Sequence, residues 1–162
     1  MTLKDVKGKS FPLNEKSGGK ARVYYFLSPE CPLCQSYSLT IRNLYGEFAK
    51  QNIEMIGIIP GTDFSTTAIT EYKTKYKIPV QLLRDEQLLL VSKYKATITP
   101  EVVVINNQGK VMYQGRIDNW AYELGKKRKV ITEHNLRDAL AAIVNNQPVK
   151  IKLTKAVGCY IE

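Results

Sequence analysis

Val23-Tyr24-Tyr25-Phe26-Leu27-Ser28-Pro29-Glu30-Cys31-Pro32-Leu33-Cys34 is the stretch from which the fold can be read. A fully apolar run of five residues is followed by a short turn and then by a C-x-x-C pair. Helical periodicity begins directly after it: Leu33, Tyr37, Ile41, Leu44 and Phe48 recur at spacings of 4, 4, 3 and 4 and mark one apolar face. The pattern is a buried strand leading into a helix over 32–51, with Pro32 at the first helical position, where a missing N–H costs nothing. Cys31 then takes the cap position, where its sulfur faces unpaired amides and the positive end of the helix dipole. Such surroundings favour S⁻ over SH and can bring a cysteine pKa down from about 8.5 to between about 3.5 and 7.5. Thiolate is the attacking species in thiol–disulfide exchange. Cys34 lies one residue from the apolar face and is expected to be less exposed than Cys31. Cys31 is therefore the expected nucleophile and Cys34 the resolving thiol, with inert structural cysteines as the plainer alternative.

Outward from this stretch the chain alternates. Ile53–Ile59 reads as a second buried strand, ended by Pro60-Gly61; 65–77 as a helix with Tyr72 and Tyr76 at i, i+4; 80–83 as extended; 86–94 as a further helix. Val102–Ile105 is a third buried strand, joined to 111–113 through Asn106-Asn107-Gln108-Gly109, a strong hairpin signal. A last helix is expected over 133–145, capped by Thr132. Val149, Ile151 and Leu153 alternate with Lys150 and Lys152, the pattern of a half-buried strand with a lysine-rich outer face that resists edge pairing. Apolar strands alternating with helices predict an α/β domain with a mixed central sheet covered on both faces.

The 162 residues suit one domain, 1–162, with a C-terminal tail from 146 to 162. With 44% hydrophobic and 24% charged residues, the composition is that of an ordinary globular protein. No apolar run approaches the ~20 residues of a membrane span. Met1–Lys7 lacks the apolar region of a signal peptide, although a chain trimmed of an export signal would read the same. The net charge of +9 is densest at Lys126–Lys129, read as a solvated loop; without interleaved aromatics on a known platform, no nucleic-acid partner is expected. Absence of G-x-G-x-x-G and P-loop patterns disfavours a nucleotide site. Three cysteines and His134, a hundred residues from the pair, are a poor ligand set for zinc. No metal and no cofactor are expected beyond a redox-active Cys31–Cys34 disulfide.

Together these motifs resemble the thioredoxin-like superfamily in its redoxin, AhpC/TSA or peroxiredoxin-like branch. Ser28–Cys34 is similar to the active site of periplasmic or membrane-anchored thiol–disulfide oxidoreductases, and Ile98-Thr99-Pro100-Glu101-Val102 to the loop carrying the superfamily's cis-proline. Asn106–Lys110 with Tyr113–Asp118 resembles the hairpin of the alkyl-hydroperoxide-reductase group. Leu136–Leu140, Pro148-Val149 and Thr154–Ile161 resemble the ending of a bacterial peroxiredoxin-like family of unassigned role.

The resemblance implies an oxidoreductase acting on protein thiols and disulfides, with Cys31, Cys34 and Pro100 catalytic and Thr99, Pro32 and Glu30 contacting substrate. A cis Thr99–Pro100 bond would turn the Thr99 backbone toward the dithiol for pairing with an extended substrate strand. A bacterial periplasmic location, for a chain trimmed of its export signal, is slightly favoured over the cytoplasm. Where thioredoxins carry a buried Asp six residues before the nucleophile, this chain has Tyr25, which is no carboxylate base. Glu30 or Glu101 could replace that base, the plainer reading of each being a surface carboxylate; one beside Cys31 would raise its pKa.

Peroxiredoxins use a Thr three residues before the peroxidatic cysteine, a Pro upstream and an Arg that binds peroxide. Here Ser28 and Arg116 are the accessory candidates, and the Pro is missing. A thiol peroxidase is the alternative. A copper-handling module is a lesser one, since that group's C-x-x-x-C is one residue longer than the present spacing. Cys159 is the odd thiol: a buried packing residue, or one that folds back to exchange with the dithiol. Trp120 and Tyr122 are expected in the core, or otherwise in a substrate groove.

Overall fold

The computed structural model describes residues 1–162. Its centre is a seven-stranded mixed sheet. Three parallel strands form the middle: β3 (Ala21–Phe26), β4 (Ile53–Pro60) and β5 (Gln81–Asp85). β7 (Glu101–Asn106) runs antiparallel beside β3, and β8 (Val111–Gly115) antiparallel beside β7. An N-terminal hairpin, β1 (Thr2–Asp5) and β2 (Ser10–Pro12), extends the opposite edge, giving the order β2-β1-β5-β4-β3-β7-β8. β3 is buried at every position, as a strand covered on both faces must be.

The two faces are covered unequally. One packs against α1 (Pro32–Ser36), α2 (Ser38–Phe48), α3 (Thr66–Lys75) and α5 (Asn135–Val144) through Leu33, Ile41, Phe48, Ile69, Leu136 and Leu140. The other packs mainly against α4 (Leu89–Tyr94), through Leu90 and Tyr94 over Tyr24, Phe26 and Val103. The alternation of Tyr24 and Tyr25 between these two clusters follows from the two-residue period of a strand. At ~1.5–3 kcal/mol for each large apolar side chain buried, this packing is the main force holding the site's scaffold.

Several elements differ from the sequence reading. The helix expected over 32–51 is broken at Tyr37, which lies between Ser36 and Ser38, and its hydroxyl is held by a hydrogen bond donated to Asp118 at 2.7 Å. α4 begins three residues late because the Asp85 carboxylate accepts hydrogen bonds from the amides of Leu89, Leu90 and Val91, while Leu88 adopts a positive φ of 54°. Thr132 does not cap α5. Both it and Glu133 donate their amides to Asn119 Oδ1, and His134 takes the cap position without a side-chain bond.

The strand expected at 149–153 does not form. Only Leu153 bridges Gln114, and Ile151 and Leu153 stay exposed. The chain touches the edge of β8 there by one parallel bridge, the Gln114 amide donating to Lys152 O and the Thr154 amide to Gln114 O, each at 3.0 Å, and the Thr154 side chain is then held by the Tyr113 hydroxyl at 2.5 Å and the Arg116 amide at 3.0 Å. The basic run is not a free loop either. Ala121–Glu123 (β9) and Lys126–Lys127 (β10) form a hairpin, and Lys127 Nζ stands over the Trp120 ring at 4.5 Å while donating to Ser36 Oγ at 2.9 Å.

Candidate active site

Cys31 sits at the end of the loop after β3, with extended backbone (φ −74°, ψ 119°) as the N-cap of α1, and Pro32 follows at the first helical position. Its sulfur meets three kinds of donor. The Cys34 thiol, the Cys159 thiol and the amides of Leu33 and Cys34 together outweigh burial and bring Cys31 down to about 5, Cys34 being the largest influence. It is thus a thiolate at neutral pH. Cys34 moves the opposite way. Burial first, then the neighbouring Cys31 sulfur, push it well above its ordinary value, although the Ser28 amide (3.4 Å) and the Thr99 hydroxyl lean toward it. One sulfur is set to attack and its neighbour holds a proton.

The Thr99–Pro100 bond is cis. Thr99 lies in β6 (Ile98–Thr99), and its carbonyl oxygen is 3.4 Å from Cys31 Sγ. Glu101, read as a surface carboxylate, is buried. One of its oxygens accepts from the amides of Thr97 and Ile98 (3.0 and 3.4 Å) and the other from Gln114 (2.9 Å). Its carboxylate fastens the cis-proline loop to the sheet. Charge-assisted bonds of this kind contribute about 1.5–3 kcal/mol.

The remaining residues singled out in the sequence fall into two groups. Ser28 lines a cavity of about 190 Å³ with Phe64, Thr99 and Cys159, and its carbonyl accepts from the Cys31 amide at 3.2 Å. Pro32 and Glu30 are exposed beside Cys31 in the chain. Arg116 is directed elsewhere: its guanidinium donates to Asn135 and pairs with Glu133 at 2.8 Å, which leaves it engaged away from the cysteines. His134 borders a separate cleft with Glu47 and Arg137. Tyr25 is fully buried, its hydroxyl meeting only the Met55 sulfur at 3.7 Å, and burial raises its pKa.

Cys31 is only 2% exposed and Cys34 not at all, the expected order but with both sulfurs covered. What covers Cys31 is the C-terminal tail. β11 (Cys159–Tyr160) pairs antiparallel with β6, Cys159 opposite Thr99, and the sulfurs of Cys159 and Cys31 are 2.6 Å apart. No disulfide joins the three cysteines. Burial, then the Cys31 sulfur, push the Cys159 thiol up to about 12.

Sequence reasoning missed three supporting groups. The Tyr72 hydroxyl donates to the Cys34 carbonyl at 3.1 Å. The Tyr37 hydroxyl ties Asp118 and the Ala121 amide to the α1–α2 junction, with the Trp120 ring edge-on at 5.3 Å. Gly158 lies so close to Thr99 that a Cβ there would overlap its carbonyl oxygen. A glycine beside a cysteine in an extended segment is the one readable signal among these, since glycine in a strand marks close backbone approach.

Residues 1–114 match the AhpC/TSA family. The chain belongs to that family. A peroxiredoxin Q of chloroplasts from Suaeda salsa is 39% identical over 85 residues, which is 52% of this chain and 38% of that protein. The thiol–disulfide oxidoreductase ResA of Halalkalibacterium halodurans is 24% identical over 110 residues, 68% of this chain and 61% of its own. The chain thus spans well under half the length of the peroxiredoxin Q relatives it matches. Among solved structures, a hypothetical protein of Sinorhizobium meliloti superposes with a TM-score of 0.86 at 22% identity, covering 99% of this chain and 89% of that one. A secreted disulfide oxidoreductase of Mycobacterium tuberculosis gives a TM-score of 0.59 at 19% identity, covering 90% and 95%. At these identities the superpositions speak for the thioredoxin-like fold alone.

Proposed function

We propose that this AhpC/TSA protein is a thiol–disulfide oxidoreductase whose substrates are protein disulfides. The observation that carries the reading is the opposed pair of thiols: Cys31 low enough to be ionised at neutral pH, Cys34 buried behind it and held protonated. The Cys31 thiolate attacks one sulfur of a substrate disulfide R–S–S–R′, forming Cys31–S–S–R and releasing R′–S⁻. Covalent capture removes the negative charge that kept Cys34 protonated, so Cys34 now gives up its proton more easily. Its thiolate attacks Cys31 Sγ and expels R–S⁻. Two electrons pass to the substrate, whose two thiolates take up protons, and the Cys31–Cys34 disulfide remains as the redox group. Thr99, Pro32 and Glu30 are the groups beside Cys31 for a substrate chain, and the Thr99 backbone in particular suits pairing with an extended segment.

Substitution tests these roles directly. In Cys31→Ser, reduction of a protein disulfide such as insulin should be lost. In Cys34→Ser, mixed disulfides should accumulate and be visible by mass. Full reductase activity in Cys31→Ser overturns the reading.

The similarity to peroxiredoxin Q favours one second reading, a thiol peroxidase using Cys31. Arg116 would have to leave Glu133 to meet a peroxide. The test is the rate of Cys31 oxidation by hydrogen peroxide: a rate far above that of free cysteine supports it, and an equal rate rejects it. We also propose an extracytoplasmic compartment, the bacterial periplasm, on the resemblance of Ser28–Cys34 to the active site of periplasmic or membrane-anchored thiol–disulfide oxidoreductases. Cell fractionation that recovers the protein in the cytosol alone rejects that placement.

A further inference from the structure

The tail does more than shield Cys31. Its backbone uses the groups a peptide substrate would use: Cys159 stands opposite Thr99, Tyr160 opposite Ile98, the Ile161 amide donates to Thr97 O at 2.9 Å, and the Thr99 hydroxyl donates to Cys159 O at 3.5 Å. Its cysteine side chain meets the nucleophile. Tyr160 points outward, 79% exposed, as alternation along a strand requires. Gly158 permits the approach, since any Cβ there would strike the Thr99 carbonyl. An anchor upstream, Thr154 against Gly115 and Tyr113, holds the segment within reach of the groove.

We propose that residues 158–161 are a tethered substrate strand and that Cys159 is a third exchanging thiol, so that the oxidised protein interconverts between Cys31–Cys34 and Cys31–Cys159 disulfides. The inference rests on the oxidoreductase reading above. No electrons enter or leave in the exchange. Cys159 loses its proton and attacks Cys31 Sγ of the Cys31–Cys34 disulfide; the Cys31–Cys159 bond forms, and Cys34 departs as a thiolate that takes up the proton. The reverse attack by Cys34 frees the tail. In the Cys31–Cys159 form the groove is covalently closed, and in the reduced form a partner chain must displace β11 to reach Cys31. The external substrate that fits the same place is an extended polypeptide with a cysteine preceded by glycine.

The experiment is disulfide mapping of the full chain. Protein oxidised by a glutathione disulfide buffer is alkylated, digested with trypsin and read by mass. Cleavage after Arg22, Arg42 and Lys155 places Cys31 and Cys34 together in peptide 23–42 and Cys159 in peptide 156–162. A cross-link between the two peptides is expected in the wild type and to near completion in Cys34→Ser. It should be lost in Gly158→Ala, which keeps every thiol but pushes the tail from Thr99. Failure to find the cross-link in Cys34→Ser, with Cys159 still open to alkylation, overturns the proposal, as does an undiminished cross-link in Gly158→Ala. The underlying reading is scored separately on Cys159→Ser. If a Cys31–Cys34 disulfide forms there and the cross-link is absent elsewhere, only the tail inference fails; if none forms, the oxidoreductase reading fails.

Discussion

Two sulfurs three residues apart in the chain acquire opposite chemistry because their surroundings differ. Cys31 is the helix cap and gathers hydrogen-bond donors; Cys34 is the third residue of the helix, and burial first and its hydrogen bond to the Cys31 sulfur next penalise its ionisation. The sign of the resulting pH dependence follows. A pKa lowered to about 5 means that Cys31 is a thiolate at every pH above that value and becomes a thiol as the pH falls through it. Since the thiolate is the reactive form, its alkylation rate should be flat from neutral pH down to about 6 and should fall below about 5. Mass-resolved iodoacetamide labelling of Cys31 measures this. A rate still rising steeply between pH 7 and 9 would mean an ordinary thiol. Replacing Cys34 by Ala removes the largest stabilising influence and should move the inflection upward.

At the level of elements, each piece that frames the site has an identifiable fastening. Asp85 accepts three amides at the start of α4 while wholly buried. Asp85→Ala should therefore cost at least the ~0.5–2 kcal/mol of a lost helix cap, read as a lower denaturant midpoint at unchanged slope. Glu101 ties down the cis-proline loop in the same way. Glu101→Gln keeps the shape but exchanges one acceptor oxygen for a donor and removes the charge, so a loss of about 1.5–3 kcal/mol is expected by urea denaturation. An unchanged midpoint in either variant would show that the fastening is dispensable.

These fastenings explain what was legible in the chain and what was not. Val23–Leu27, Ile53–Ile59 and Val102–Ile105 are continuous apolar runs, and each is a central strand, because periodicity reports burial directly. The cysteine pair at a helix start was legible from local sequence, whereas the cis Thr99–Pro100 bond was legible only through the resemblance to the thioredoxin-like superfamily. The start of α4, the kink at Tyr37 and the capping of α5 depend on partners distant in the chain, namely Asp85, Asp118 and Asn119. So does the tail. Val149–Leu153 has the alternation of a strand, but its pairing stops at one parallel bridge from Leu153 to Gln114, and the tail's longer pairing occurs instead at Cys159–Tyr160. Arg116 was the cation that the peroxiredoxin resemblance offered, and it is held by Glu133, seventeen positions along the chain, which no local pattern announces.

On the scale of the whole molecule, a mixed sheet brings three separate segments to one end of β3: the dithiol loop, the cis-proline loop before β7, and the last residues of the chain. Rigid packing beneath them keeps the sulfur positions fixed. Shaving Leu83, fully enclosed on the α4 face, to Ala should cost about 2–5 kcal/mol by thermal or denaturant unfolding. Stabilising the Cys31 thiolate also stabilises the reduced protein, which makes its disulfide the stronger oxidant. The most direct measurement is the equilibrium of the cysteines with glutathione and dithiothreitol buffers of known potential, read by alkylation and mass. The account predicts a reversible two-electron couple involving Cys31, at a potential more positive than about −270 mV. If Cys31 enters no disulfide at any potential, the account is wrong.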